Sequence, residues 1–396
     1  MEVIAVIAGS LVAWSLISQR AERLNLSAPI AFVAVGMAVT HGPLAFLHVS
    51  LGTVGVREIA EITLAVVLFG DAGTVDLRKL RRDAVLPSRL LIVGLPLTMG
   101  LGAVAAHWLL GTSWWVSALI GAAVAPTDAA LGAAIIEDER VPAKVRRILN
   151  VESGLNDGIA TPFVNFFLAA AIVGTSLETA SEGQALVELA VGVAGGVLIG
   201  GLGGWAMSSA SAKGWSTPGF RAIGTASLSI LAYAGMVHLG GNGFVAAFVA
   251  GLAYSGATAA TRAKAELGFT HDAGHVLSLT VWFLFGALAI PVLRQARWTD
   301  VAFAVAALTI IRMGPVALSL IGSGFDRATV GVVGWFGPRG LASVVFALVA
   351  AEGLAPADGR RALTVITVTV LLSVVAHGIS AAPVARGYSA LTHANT

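Results

Sequence analysis

Long apolar runs with almost no charge occupy most of this chain, and they leave lipid as the one solvent in which it can fold. A bilayer's hydrocarbon core is about 30 Å thick and takes about 20 apolar residues per crossing helix. Runs of that kind lie near 2–17, 28–47, 60–75, 85–108, 114–136, 148–174, 184–208, 219–238, 242–258, 275–293, 299–320, 328–350 and 362–385. They are unbroken rather than alternating, which selects helices over a barrel. The expected fold class is therefore an all-α polytopic membrane protein with about 13 transmembrane helices. Only 12% of the 396 residues are charged, against about 25% in a soluble domain, and 57% are hydrophobic. A chain of this length is expected to leave no room for a large soluble domain. Its 47 glycines fit helices that approach closely. The absence of cysteine excludes disulfides and thiolate metal sites.

Loop charge sets the orientation. An N-terminus outside the cell makes alternate loops cytoplasmic, and those carry Arg20, Arg23, Arg78, Lys79, Arg81, Arg82, Arg140, Lys144, Arg146, Arg147, Lys213, Arg221, Arg262, Lys264, Arg327 and Arg386. The opposite loops hold only Arg57, Arg294, Arg297, Arg360 and Arg361. The positive-inside rule then predicts a multi-pass protein of the cytoplasmic (inner) membrane, with its N-terminus outside and its C-terminus in the cytoplasm. The first run starts Met1-Glu2 with its arginines after the apolar stretch, so it reads as a retained span rather than a secretory signal. The net charge of +2 reflects these loops and gives no reason to expect a nucleic-acid partner.

Charges inside the runs are the informative residues, because one at the bilayer centre costs at least about 2.5–3.5 kcal/mol and needs a partner or a wet cavity. Arg89 lies near a span end and can snorkel. Arg312 and Arg339 lie deep in apolar sequence, as do Asp128, Glu152 and Asp157, while Asp71 lies toward the cytoplasmic end of span three. Span five contains Ala125-Pro126-Thr127-Asp128 and span twelve Phe336-Gly337-Pro338-Arg339-Gly340. Proline blocks a regular helix at both places. Two interruptions at matching depth predict an inverted repeat whose broken helix ends and freed carbonyls form a midplane ion site. The alternative is two kinked helices whose glycines only aid packing.

Span six reads Asn150-Val151-Glu152-Ser153-Gly154-Leu155-Asn156-Asp157-Gly158, followed by Thr161-Pro162. On a helix Ser153, Asp157 and Thr161 share one face, and Glu152 and Asn156 a neighbouring one. Such oxygens suit a hard cation. Glu152, Asp128 and Asp157 against Arg312 and Arg339 are three negative charges against two positive, leaving one. One monovalent cation or one proton neutralises that charge, which is the minimum requirement for competitive exchange.

The stretches Ala125 to Asp128, Glu152-Ser153-Gly154-Leu155-Asn156-Asp157-Gly158 and Gly337-Pro338-Arg339-Gly340, in that order over thirteen spans, resemble the bacterial NhaP-type sodium/proton antiporters of the monovalent cation:proton antiporter family. The resemblance covers nearly the whole chain, and the Glu-Ser-x-x-Asn-Asp-Gly run is its most specific part. It implies a secondary antiporter, not an enzyme, that exchanges Na⁺ or Li⁺ for H⁺ without a cofactor. It also implies a core ion-transport domain from spans 4–6 (84–175) and 11–13 (298–396), with crossed, unwound helices. Spans 1–3 (1–83) and 7–10 (176–297) would form a dimerisation domain, and a homodimer would work by an elevator movement. Carried over residue by residue, Asp157 is the ion- and proton-binding acid, with Asp128, Ser153 and the Thr127 carbonyl as further ligands. Glu152 and Arg312 form a structural ion pair, and Arg339 neutralises carbonyl dipoles at the crossing. Asn156 stands where electrogenic relatives carry a second aspartate, so exchange should be electroneutral, one cation per proton. Two departures are Asp71, where many members have glutamate, and Ala129-Ala130 after Asp128, where Pro-Val is common.

A K⁺/H⁺ antiporter is the nearest alternative, and a cation channel a more distant one that would need a continuous ion-lined pore. The His271/His275 pair has i, i+4 spacing that can bind zinc, but no Glu follows the first His as a metalloprotease would require. The simpler reading makes Asp272 the cap at the start of span ten. Gly195, Gly196, Gly200, Gly201, Gly203 and Gly204 in span seven lack a preceding strand and a Gly-Lys-Ser/Thr, so they read as close helix packing rather than a nucleotide loop.

Overall fold

A computed structural model describes residues 1–23, 26–41, 45–47, 49, 55–75, 85–128, 131–136, 138, 141–173, 179–258 and 260–394. Arg78, Lys79, Arg81, Arg82, Arg140 and the Ala129-Ala130 departure lie outside the described residues. The described chain is helical: α1 Glu2–Arg23, α2 Ala28–His41, α3 Val56–Thr74 and α4 Val85–Leu110, then α5 Trp114–Ala123 and the short α6 Ala133–Ile136. There follow α7 Ala143–Val173, α8 Thr179–Ala212, α9 Pro218–His238, α10 Gly243–Ala257 and α11 Ala260–Leu293. The last five are α12 Trp298–Leu308, α13 Ile310–Ser319, α14 Arg327–Trp335, α15 Leu341–Gly353 and α16 Pro356–Ala394.

Each apolar run overlaps a helix among the described residues, and the two expected interruptions are present. α5 stops at Ala123 and α14 at Trp335, with non-helical backbone through 124–128 and 336–340. A further break at Thr309, between α12 and α13, has no proline of its own and was not evident from the sequence. Pro162 sits inside α7 without ending it; the Thr161 hydroxyl donates to the Asp157 carbonyl (2.7 Å) beside it. Span ten differs from the reading above. α11 begins at Ala260, fifteen residues before the apolar run, so Asp272 is an interior residue and caps nothing. The extension carries Gly268 and Gly274 among its polar residues and neither stops the helix, and hydropathy alone cannot see such an extension.

The helices fall into two compact units, one of Met1–Arg57, Val85–Asn156 and Leu279–Thr396, the other of Glu58–Ala84 and Asp157–Ser278. In the first, α16 packs on α12, α14, α15 and α5, and α4 packs on α5 and α12. Leu90, Ile148, Val316, Val333, Ala385 and Tyr388 meet in one buried cluster that ties α4, α7, α13, α14 and α16 together. Close backbone approach recurs: a Cβ at Gly102 would lie 3.0 Å from the Cα of Gly121, joining α4 to α5.

In the second unit the glycines of α8 form a ladder against α10. A Cβ at Gly192 would lie 2.6 Å from the Asn242 carbonyl, one at Gly196 2.6 Å from that of Ala246, and one at Gly200 2.6 Å from the Ala250 Cα. The four-residue spacing keeps them on one face, and lipid offers no hydrophobic drive to join helices, so packing of this kind supplies the attraction. Gly201 faces open space. A buried polar network closes the same unit: Arg221 Nε donates to Glu266 (2.7 Å), Tyr254 donates to the other carboxylate oxygen, and Tyr254 and Thr225 share a hydrogen bond (3.0 Å).

Gly200→Ala should lower the melting temperature of the purified protein by several degrees, because the new methyl meets backbone rather than a movable side chain. Gly201→Ala should leave it unchanged or raise it slightly. Thermal unfolding in detergent checks both, and equal effects at the two sites would sink the packing argument.

Candidate functional site

The site grows out of the two breaks, both in the first unit. Ser113 caps α5, its hydroxyl accepting from the Val116 amide, and the helix cannot continue past Pro126, which has no N–H. The chain runs on in non-helical form to Asp128, whose amide donates to the Pro338 carbonyl (2.8 Å). On the other side α14 ends in an inverse γ-turn: Phe336 has φ −79° and ψ 70°, and the Gly337 amide donates back to the Trp335 carbonyl (2.8 Å). α15 then restarts at Leu341.

Each broken end meets opposite charge. The Asp128 carboxylate accepts from the Leu341 amide (3.2 Å), so it caps the positive N-terminus of α15 from another segment. Arg339, fully buried, serves the negative ends: Nη1 donates to the carbonyls of Ala125 (2.9 Å) and Pro126 (3.4 Å), and Nη2 to that of Ala307 (3.1 Å) beside the Thr309 break. Ser343 adds a hydrogen bond from α15 to the Ala123 carbonyl (2.7 Å). Two glycines make the approach possible. A Cβ at Gly340 would overlap the Asp128 carboxylate, and one at Gly337 would lie 2.6 Å from Arg312 Nε and 2.9 Å from Thr127 Cγ2.

α7 supplies the remaining groups. Glu152 accepts two hydrogen bonds from Arg312 of α13, at 2.6 and 2.9 Å, and both residues are 2% exposed. A bidentate, fully desolvated pair of this kind is strong in place and costly to break. One face over, the Asn156 amide donates to the Thr127 hydroxyl (2.6 Å), which shares a second hydrogen bond with Ser153 (3.0 Å). Asn156 and Thr127 are buried, and Ser153 nearly so. Neutral oxygens are thus gathered beside the Asp128 break, a donor set suited to a hard, weakly held cation.

Seven of the residues singled out from sequence meet in this unit: Thr127, Asp128, Glu152, Ser153, Asn156, Arg312 and Arg339. Asp157 follows Asn156 along α7, one turn beyond Ser153, and is counted with the second unit. Asp128 and Asp157 are both partly exposed, unlike Glu152. Asp71 lies in the last turn of α3, also in the second unit, with its carbonyl accepting from Thr74 (2.7 Å). His271 packs against Gly70 there, and no group of three or more metal-binding side chains exists among the described residues. Sequence reasoning missed Ser343, Ser373 and His377. The rule that exposes Asp128, a titratable residue inside an apolar run, applies equally to His377; the two serines carried no signal.

The profile described as sodium/hydrogen exchanger, transmembrane, matches residues 6–387. The chain is 30% identical over 335 residues to the K(+)/H(+) antiporter NhaP of Alkalimonas amylolytica, covering 83% of this chain and 57% of that protein. It is 26% identical over 337 residues to the K(+)/H(+) antiporter NhaP2 of Shewanella oneidensis, covering 84% and 58%. It therefore spans a little over half the length of these relatives. The sodium proton antiporter MjNhaP1 from Methanocaldococcus jannaschii, solved at pH 8, superposes with a TM-score of 0.79 at 20% identity over 98% of this chain and 99% of that one, which shows a common fold.

Glu152→Gln should destabilise the protein by about 3–5 kcal/mol, since it leaves the Arg312 charge buried without its counter-charge. A thermal melt unchanged from wild type would mean that the pair contributes nothing to the folded state.

Proposed function

The chain belongs to the transmembrane sodium/hydrogen exchanger family, and from that premise we propose that it is a secondary active antiporter exchanging Na⁺ or Li⁺ for H⁺ across the cytoplasmic membrane. The observation that carries this reading is how the buried charges are committed. Arg312 is held by Glu152, and Arg339 by three backbone carbonyls. Three acids against two arginines leave one negative charge in the set, and the acids that keep partial exposure are Asp128 and Asp157. A cation or a proton can neutralise that charge, and leaving it bare in low dielectric is unfavourable. Asp157 is the proposed alternating acid, with Asp128, Ser153 and the Thr127 carbonyl as further ligands. Asp71 is proposed as a supporting residue.

Asn156 supports electroneutral exchange. Its amide donates one hydrogen bond to Thr127, and an amide adds no second charge to travel with the cation. The same reading includes a homodimer, an elevator movement of spans 4–6 and 11–13 (84–175 and 298–396) against spans 1–3 and 7–10 (1–83 and 176–297), an N-terminus outside and a C-terminus in the cytoplasm. These rest on the resemblance and on the loop charges. No cofactor is proposed beyond the transported ions. A second reading, K⁺ in place of Na⁺, is favoured by the K(+)/H(+) names of both relatives above.

Proteoliposomes with an imposed pH gradient test the function. Adding Na⁺, Li⁺ or K⁺ should drive proton movement that Asp157→Asn abolishes and that clamping the voltage leaves unchanged. The ion giving flux at the lowest concentration decides between the two readings. Normal flux in Asp157→Asn would remove that residue from the mechanism, and cation flux without proton movement would point to a channel. Asn156→Asp tests the charge argument separately: if residue 156 sets the stoichiometry, exchange should become sensitive to voltage.

A further inference from the structure

His377 of α16 is 1% exposed and lies behind the second break, where the exchange mechanism gives it no task. Its Nε2 is 2.8 Å from the Trp335 carbonyl. A carbonyl only accepts, so the tautomer protonated at Nε2 donates to it and leaves Nδ1 to accept from the Ser373 hydroxyl. That carbonyl already takes the Gly337 amide in the inverse γ-turn, so the imidazole completes the turn by which the chain leaves α14. Nδ1 faces the Ser373 hydroxyl at 3.1 Å and the Ser373 carbonyl at 2.9 Å. The same hydroxyl oxygen accepts from the Arg339 amide (2.7 Å). The ring also stacks on Trp335, with centroids 5.0 Å apart and planes inclined by 30°.

One side chain thus holds the interrupted segment at two places, Trp335 directly and Arg339 through Ser373. Between them lies Pro338, whose carbonyl receives the Asp128 amide, and just beyond them the Leu341 amide reaches the Asp128 carboxylate. We propose that His377, acting with Ser373, is a positioning residue that fixes the backbone of 336–341 and through it the orientation of Asp128 for cation binding. The link to cation affinity rests on the proposed exchange function; the clamp on the segment does not.

The test uses the full chain and three variants. His377→Phe keeps a ring against Trp335 and removes both hydrogen bonds, whereas His377→Gln places an amide N–H near the position of Nε2, and Ser373→Ala removes the relay alone. Hydrogen exchange by mass spectrometry in detergent should show the amides of 336–341 exchanging at least about 5–10-fold faster in His377→Phe, the range expected when even one of the two lost hydrogen bonds protected the segment. His377→Gln should stay within about 2-fold of wild type on the same scale. In proteoliposomes the half-saturating cation concentration should rise about 5–10-fold in His377→Phe and Ser373→Ala with little change in maximal rate, and the double variant should be no worse than the worse single one.

Unchanged exchange at 336–341 in a folded His377→Phe, or additive effects in the double variant, would overturn the clamp. A loosened segment with unchanged half-saturation would overturn its link to Asp128. Should His377→Phe fail to fold, Ser373→Ala decides by the same two readouts. If wild type itself shows no cation-driven proton movement, the proposed exchange function fails, and the hydrogen-exchange result still judges the clamp.

Discussion

Backbone groups that lose their helix inside a membrane have no water to turn to, and the first unit is organised around satisfying them. Each unpaired amide or carbonyl in hydrocarbon costs several kcal/mol. At the two breaks the debts are settled by exchange across the crossing: the Asp128 amide on the Pro338 carbonyl, the Leu341 amide on the Asp128 carboxylate, and the carbonyls of Ala125, Pro126 and Ala307 on Arg339. Neither broken segment is satisfied alone. Gly337 and Gly340 carry no side chain because Arg312 and Asp128 occupy the space a Cβ would need.

This arrangement divides the buried charges by task. Glu152 and Arg312 are sealed and bound to each other at two points, so α7 and α13 are held together by a pair that strongly resists losing either member. Arg339 behaves as a fixed positive charge at the ends of helix fragments. Asp128 is different, because it caps α15 and yet keeps partial exposure. Beside it the hydroxyls of Thr127 and Ser153 are ordered by the Asn156 amide, so the polar oxygens near the break have defined directions before any ligand arrives.

The second unit solves a plainer problem. Its helices need a reason to associate in lipid, and α8 and α10 find one in close backbone contact along Gly192, Gly196 and Gly200. Arg221, Glu266, Tyr254 and Thr225 satisfy one another in a buried network joining α9, α10 and α11. The α8 glycines that might have been mistaken for a nucleotide loop are packing residues, apart from Gly201, which faces open space.

The amino-acid sequence by itself determined the helical membrane class, the thirteen apolar runs and the two interruptions. Those features follow from hydropathy and from proline's missing donor, which act locally. It also marked Asp128, Glu152, Asp157, Arg312 and Arg339, because a charge in an apolar run is costly wherever the chain goes. Tertiary structure alone decided which groups those charges meet. That the Asp128 carboxylate caps α15, that Arg339 reaches Ala307, and that span eleven breaks at Thr309 depend on segments about 30 to more than 200 residues apart being packed together. No local pattern encodes such a meeting. Asp272 shows the converse: a good capping residue is no cap when the helix has already started at Ala260. Ser343 and Ser373 were silent for the same physical reason, since a single hydroxyl gains meaning only from the carbonyl or amide placed beside it, whereas His377 was marked by the same rule as Asp128 and only its partners were hidden.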